Sequence, residues 1–234
     1  MASTLQIMGF LSEGLGTLAA IIMATLVLRK DPSYVGNRLM AAASIGIGGY
    51  MGFILWYDLF PSPLSVQVLL RLALISILFG TLFLYFTMQV MVHSSAWLDN
   101  KMNIIPGIVY MTALSTAIVF LRFITIVDLE VVNTQIDMLP LAIIIASTLL
   151  FLLITAFDLY YHGIRHVQGQ QRKNMMTFFI GLLTAIGSII LTIIANILED
   201  QAIGAVFDVL FFSTLAVAIV LMAIGFGGKS SSNK

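Results

Sequence analysis

Cysteine is absent from this sequence of 234 residues, and charged residues make up only 9% of it. Without cysteine there are no disulfide bonds, thiolate metal sites, c-type haem attachments or S-palmitoyl groups. Soluble globular domains carry roughly a quarter of their residues as charges. The shortage of charge, together with a mean hydropathy of +1.05, therefore predicts a protein that crosses the lipid bilayer several times.

Several chemical signatures are also lacking. The sequence contains no glycine-rich phosphate loop, nucleophile elbow or carboxylate pair at catalytic spacing, so it predicts no enzyme and no cofactor. The last apolar segment has no lysine, which excludes a conventional retinal protein. The formal net charge is zero, and nothing indicates binding to nucleic acid. All five prolines lie in predicted loops or near segment ends, so the broken helices typical of many transporters are not indicated.

Seven segments are long enough to cross a hydrocarbon core, which takes about 20 residues in a helix. Their near-continuous apolar runs favour helices over a barrel, whose strands alternate. The sequence thus predicts an all-α membrane protein, with residues 1–228 forming a seven-helix bundle and residues 229–234 a short tail. The segments are Leu5 to Leu28, Arg38 to Phe60, Leu64 to Val92, Asn103 to Val127, Met138 to Tyr161, Asn174 to Leu198 and Ile203 to Phe226.

The basic residues predict the orientation of the bundle. All lysines and arginines except Arg71 and Arg122 follow the odd-numbered segments, and a polar loop over Asp158 to Asn174 is the longest of these basic stretches. Basic loops remain in the cytoplasm. The N-terminus is therefore expected outside and the C-terminus in the cytoplasm of a multi-pass protein of the cell membrane. The opposite side holds mainly acidic residues: Asp58, Asp128, Glu130, Asp137, Glu199 and Asp200.

Polar residues in the predicted outer half are the candidate ligand-binding residues, because ionisable groups within a membrane are costly and often functional. They are Glu13, Asp58, Gln67, Arg71, Arg122, Asn196 and Asp208. Small residues share the helix face of Glu13, so its side chain is expected to point into the bundle. One hypothesis is an outward-facing pocket in which Arg71 or Arg122 meets an anionic group of a ligand. The alternative is a structural ion pair between an arginine and one of the carboxylates.

Two rows of small residues predict close contacts between helices. Gly48 and Gly52 form one row in the second segment, and Ser12, Gly16 and Ala20 form the other in the first. Packing within the chain is favoured over a dimer face because such rows are common in membrane bundles. A homo-oligomer stays open as an alternative.

The three histidines lie on the predicted cytoplasmic side. His162 and His166 are four residues apart, a spacing at which two histidines can bind one metal ion on a helix. Gly163 weakens the helix between them, and no third ligand lies nearby. The interpretation is therefore a solvated pair at the membrane interface, with no metal site. Five aromatic residues are interpreted in the same way, as interfacial residues: Trp56, Tyr57, Trp97, Tyr160 and Tyr161.

Two stretches of the chain are similar to a known family. They are residues 171–190, Gln-Arg-Lys-Asn-Met-Met-Thr-Phe-Phe-Ile-Gly-Leu-Leu-Thr-Ala-Ile-Gly-Ser-Ile-Ile, and the end of the seventh segment, Ala-Val-Ala-Ile-Val-Leu-Met-Ala-Ile-Gly-Phe at residues 216–226. This part of the chain resembles the seven-helix N-terminal sensor region of prokaryotic membrane histidine kinases. In that family the seventh helix leads into a PAS or kinase module, whereas only residues 228–234 follow here. The resemblance implies a sensor-like bundle that acts through a protein partner, and no individual functional residue is carried over.

The sequence therefore predicts a non-enzymatic, receptor-like bundle in the lipid bilayer. It is expected to bind a small molecule or lipid in its outer half and to contact a membrane or cytoplasmic protein. A small secondary transporter or channel is one alternative, since paired charges within the membrane suit a translocation path. A structural subunit of a larger membrane complex is the other.

Overall fold

The computed structural model describes residues 4–128, 133–197 and 201–227, and these residues form seven long α-helices. All seven are long and apolar enough to cross a membrane, as the sequence predicts. A helix suits that environment because it satisfies its backbone hydrogen bonds internally. The helices are α1 (Thr4–Lys30), α2 (Val35–Leu59), α3 (Pro63–His93), α4 (Lys101–Phe120), α5 (Met138–Asp158), α6 (Gly169–Ile197) and α7 (Gln201–Gly227).

The helices pack mainly against their neighbours in the chain. Helix α1 lies against α2 and α7, α2 against α3, and α6 against α7, while α3 contacts both α4 and α5. The end of the bundle where α2 ends and α5 begins is called the acidic end here, and it holds Asp58 and Asp137. The opposite, basic end holds Lys30, Lys101 and Arg165. The predicted tail, residues 229–234, lies outside the described residues, as do Glu130, Glu199 and Asp200.

The small residues of α1 and α2 bring these two helices into close contact. A Cβ atom added to Gly48 would lie 2.5 Å from the Cβ of Ala20, and one added to Gly52 would lie 3.2 Å from Cγ2 of Thr17. Gly16 faces the sulfur of Met51 in the same interface. The prediction that the two rows pack within the chain is therefore confirmed.

The fourth segment ends earlier than the sequence predicts. Helix α4 stops at Phe120, and residues Ile124–Asp128 form strand β1, which pairs antiparallel with β2 (Asn133–Ile136). The backbone N–H of Asp137 donates a hydrogen bond to the carbonyl of Phe123 at the base of this hairpin. The prediction of a helix to Val127 was wrong because the β-branched run at 124–127 is apolar enough for a span but favours a strand. Arg122 consequently lies in the connection after α4.

The polar stretch after α5 is more ordered than the predicted loop over Asp158 to Asn174. A π-helical turn at Leu159–Gly163 and a 3₁₀ turn at Ile164–His166 continue from α5, and α6 already begins at Gly169. Only residues 167–168 connect these elements. The loop prediction was wrong because Leu159 and Ile164 are fully or almost fully buried, at 0% and 2% exposed, and anchor the turns to the core.

Candidate functional site

Three carboxylates lie on adjacent helices in the half of the bundle nearer its acidic end, within range of electrostatic interaction. Glu13 lies on α1, Asp58 in the last turn of α2 and Asp208 on α7. Helix α1 packs against both α2 and α7. The charges of Asp58 and Asp208 both act on Glu13, and the charge of Asp208 also acts on Asp58. The three side chains are called the carboxylate cluster below.

Glu13 is the buried member of the carboxylate cluster. Its side chain is 4% exposed, whereas Asp58 is half-buried and Asp208 is exposed. Among the residues that the structure describes, the Oε2 atom of Glu13 has no hydrogen-bond partner. Thr17, one turn further along α1, donates its hydroxyl to the backbone carbonyl of Glu13 and not to the carboxylate. The expectation that Glu13 points into the bundle is confirmed.

None of the cluster's carboxylates forms a salt bridge within the described part of the chain. A buried carboxylate without a partner is costly, since burial in a medium of low dielectric constant removes its hydration. Like-charged neighbours add repulsion. The cluster therefore has a negative electrostatic potential that the described residues do not neutralise while the carboxylates are ionised.

Two tyrosines of α2 lie next to these carboxylates. The charges of Asp208 and Glu13 act on the hydroxyl of Tyr50, and Tyr57 lies beside Asp58. The ring of Tyr50 contacts Phe211 edge-on, with the two centroids 5.9 Å apart. Tyr57 is only 7% exposed, so it packs inside the bundle near the end of α2.

A central cavity lies among α2, α3, α5, α6 and α7, and none of the three carboxylates is among its lining residues. Its volume is about 80 Å³. Its threonine hydroxyls at positions 81 and 148 bond to carbonyls of their own helices, so the wall is apolar in character. The lining residues are Ile47, Tyr50, Leu74, Ile77, Thr81, Leu84, Leu141, Ile144, Ile145, Thr148, Leu152, Ala185, Ile189, Thr192, Phe211 and Leu215.

Tyr50 connects the cavity with the carboxylate cluster, because it lines the one and lies within the electrostatic field of the other. The sequence analysis did not select Tyr50. A signal was nevertheless present, since Tyr50 and Tyr57 are seven residues apart, which places them on one face of α2.

Arg71 occupies a different place from the carboxylate cluster. Its guanidinium donates hydrogen bonds from Nη1 to the carbonyl of Val119, at 2.8 Å, and from Nη2 to the carbonyl of Leu121, at 3.1 Å. Its Nε atom is buried and has no hydrogen-bond partner in the described part of the chain. The last carbonyls of a helix have no partner within it, so Arg71 ties the end of α4 to α3. It forms no ion pair with Glu13, Asp58 or Asp208.

The other predicted ligand-binding residues are dispersed. Gln67 is exposed and lies one turn before Arg71 on α3, and Arg122 is exposed beyond the end of α4. The side chain of Asn196 lies outside the described residues. The structure thus brings Glu13, Asp58 and Asp208 together and places Gln67, Arg71 and Arg122 around the junction of α3 and α4.

A polar network lies at the basic end. The side-chain amide of Gln89 donates a hydrogen bond to Oδ2 of Asp158 at 2.7 Å, and Nδ1 of His162 is 3.4 Å from Oδ1 of the same residue. The rings of His93 and His162 are 6.0 Å apart. The network joins α3 to the π-helical turn. Within the described ranges, no three His, Cys, Asp or Glu side chains are grouped closely enough to hold one metal ion.

The fold defines a class of protein, a seven-helix bundle suited to crossing a membrane, with an apolar cavity among five of its helices. No known family model matches the chain, and the comparison with curated proteins finds no relative. Function must therefore be inferred from the geometry of the site.

Proposed function

We propose that this chain is a non-enzymatic, receptor-like membrane bundle that binds a small apolar molecule or lipid in its central cavity and acts through a protein partner. The central cavity is the observation on which the proposal depends. Small-molecule sites in proteins are typically clefts of about 300–1,000 Å³ with mostly apolar walls and a few polar groups. The cavity has the apolar lining of such a site, and its volume of about 80 Å³ lies below that range, so a slender apolar chain or a small apolar molecule suits it better than a bulky ligand.

The position of the cavity supports binding of a ligand that arrives from the bilayer. Its walls come from α5 and α6, which have few contacts with each other, as well as from the more tightly packed α2 and α3. Thr148 and Ala185 face it from α5 and α6. An apolar ligand dissolved in the membrane would reach such a cavity without crossing water. The resemblance of residues 171–190 to sensor regions agrees with this proposal and motivates the protein partner.

Filling the cavity should abolish ligand binding. Thr148 is 4% exposed and lines the cavity, so Thr148→Phe would place a ring in the space that a ligand needs. We expect the fluorescence of the neutral apolar probe N-phenyl-1-naphthylamine, measured with protein in lipid nanodiscs, to fall to the level of empty nanodiscs. Ala146→Phe is the matched control, because Ala146 is exposed on the outside of the same helix, and it should bind the probe like the unmodified chain.

Equal probe binding by the Thr148→Phe and Ala146→Phe variants would contradict the proposal. Native mass spectrometry of protein extracted gently from its own membrane provides a second test. A retained small molecule or lipid supports a receptor-like bundle, and a bare chain with only a stoichiometric protein partner favours a structural subunit. Movement of the retained molecule across proteoliposome membranes would favour a transporter.

The proposed orientation places the acidic end outside the cell. The chain has no cysteine, so a single introduced cysteine provides the only thiol for labelling. Gln135 lies on β2 at the acidic end, and Gln168 lies between the 3₁₀ turn and α6 at the basic end; both are exposed. In intact cells, a membrane-impermeant maleimide should label Gln135→Cys, whereas Gln168→Cys should react only after permeabilisation. The reverse pattern would invert the orientation.

A further inference from the structure

Another cavity lies at the basic end of the bundle, apart from the central cavity. Its volume is about 300 Å³, and its walls come from the ends of α1, α3 and α7 and from the starts of α2 and α6. The two cavities share no lining residue. This space is called the basic-end cavity below.

The basic-end cavity lies at the level where the membrane-crossing helices end. Lys30 and Phe226 are the last residues of the spans in α1 and α7, and Gln171 is the third residue of α6. Every lining residue lies within six residues of such a span end. Because the polar headgroups of a bilayer begin where its hydrocarbon core ends, a phospholipid would hold its phosphate at this level.

The wall of this cavity combines fixed polar groups with apolar surface. Asn37 is only 5% exposed, and its side-chain amide donates a hydrogen bond to the carbonyl of Asp31 at 2.7 Å. The side-chain oxygen of Asn174 accepts a hydrogen bond from Gln170 at 3.0 Å. Phe226 adds an apolar ring to the same wall. A phospholipid has the same division, since its polar headgroup continues into apolar acyl chains.

The charge around the basic-end cavity is positive. Lys30 lines it, and residues 29–38 and 169–175, which form much of its wall, contain only one acidic residue, Asp31. The Oδ1 atom of Asp31 accepts hydrogen bonds from the backbone N–H and the hydroxyl of Ser33, at 2.9 and 2.6 Å, so this carboxylate is held in the turn between α1 and α2. The excess of positive charge favours an anionic ligand. The other basic residues of these two segments are Arg29, Arg38, Arg172 and Lys173.

The start of α2 adds to this attraction for an anion. The N-cap residue Tyr34 lines the cavity, but its side chain makes no cap hydrogen bond, and the first turn of α2 holds no acidic residue. The first N–H groups of a helix have no partner within it and carry partial positive charge. An anionic group in the cavity would therefore be stabilised by the helix as well as by Lys30.

We propose that the basic-end cavity binds the phosphate headgroup of an anionic phospholipid, with Lys30 as its cationic partner and the acyl chains against the apolar part of the wall. Basic pockets between transmembrane helices suit such headgroups. A free phosphate ion shares the chemistry of the headgroup, but it makes no use of the apolar surface. The site is separate from the central cavity, so it does not depend on the proposed function.

Native mass spectrometry of the detergent-solubilised chain measures the binding of single lipid molecules. Phosphatidylglycerol and phosphatidylcholine with identical acyl chains are titrated separately, and inorganic phosphate is then added in excess. We expect phosphatidylglycerol to bind at least about fivefold more tightly than phosphatidylcholine, which is the effect of roughly one basic residue at an anionic lipid surface. Inorganic phosphate should leave the phosphatidylglycerol bound.

Lys30→Gln removes the cation of the cavity and keeps a polar side chain. Its affinity for phosphatidylglycerol should fall about fivefold, whereas an unchanged affinity for phosphatidylcholine would show that the variant is folded. Lys101→Gln is the matched control, because Lys101 is exposed at the same end but does not line the cavity. It should bind phosphatidylglycerol like the unmodified chain. Asp31→Asn keeps an acceptor oxygen for Ser33 and removes a negative charge, so it should bind phosphatidylglycerol more tightly.

Three results would overturn the proposal. Equal binding of the two lipids by the unmodified chain would show that the site does not select an anionic headgroup. An equal loss in the Lys30→Gln and Lys101→Gln variants would show a diffuse attraction of lipid to the whole basic end. Displacement of phosphatidylglycerol by inorganic phosphate would assign the site to a soluble anion instead of a lipid.

Discussion

Gly46→Ala is expected to destabilise the bundle by about 2 kcal/mol, the usual scale of overpacking in a tight core. A Cβ atom at Gly46 would lie 2.6 Å from Cα of Gly80 and 2.9 Å from the carbonyl oxygen of Ser76. These are backbone atoms of α3, and they cannot rotate away as the end of a side chain can. Helices α2 and α3 would have to separate, which would also disturb the wall of the cavity. The temperature or denaturant midpoint of unfolding in detergent measures the effect.

Gly187→Ala is the matched control for this prediction. No atom lies within 4 Å of a Cβ added at Gly187. Alanine is favoured over glycine in a helix interior by about 1 kcal/mol, so this variant should be as stable as the unmodified chain or slightly more so. A similar loss of stability in both variants would show that the close approach of α2 and α3 does not limit stability.

Arg71→Met should loosen the end of α4 and the hairpin that follows it. The variant keeps much of the apolar stem but removes both hydrogen bonds from the guanidinium to the carbonyls of Val119 and Leu121. A hydrogen bond to a charged group contributes about 1.5–3 kcal/mol, so a combined loss of roughly 3 kcal/mol is expected at this partly exposed site. Hydrogen exchange of residues 118–128 should increase more than that of α6 and α7.

Arg122→Met is the control for Arg71→Met. Arg122 is exposed, and a substitution at such a site usually changes stability by less than about 0.5 kcal/mol. The sequence alone suggested that either arginine binds an anionic ligand. That hypothesis would be restored if Arg71→Met abolished binding of an anionic probe while the amides of β1 kept their protection.

The helices were predictable because the signal for them is local and strong. The apolar segments around Leu64 to Val92 and Ile203 to Phe226 correspond closely to α3 and α7, since a long apolar run in lipid has few alternatives to a helix. The hairpin after α4 was missed for the same reason. Hydropathy does not distinguish a lipid-facing helix from the apolar strand at Ile124–Asp128, whose β-branched residues were the better indicator.

The sequence predicted some residues of the candidate site but not how they are arranged. Glu13 was expected inside the bundle, and Asp58 and Asp208 were selected as intramembrane charges, because ionisable residues are rare and conspicuous in such a chain. Their separation from Arg71 depends on which helices are neighbours, and hydropathy carries no information about that. Tyr50 was missed because an isolated tyrosine in an apolar segment is common and becomes informative only beside a carboxylate.

The sequence by itself determined the class of fold, since near-continuous apolar segments without cysteine, with few charges and with short connections leave a helical membrane bundle as the consistent solution. Only the tertiary structure decided which charges meet. It placed α1 against α2 and α7, so that Glu13, Asp58 and Asp208 lie on adjacent helices, and it directed Arg71 to the carbonyls at the end of α4. The physical reason is that the apolar character of a segment depends only on its own residues. The electrostatic partners of a side chain depend instead on how the helices pack, through small residues such as Gly46 and Gly48.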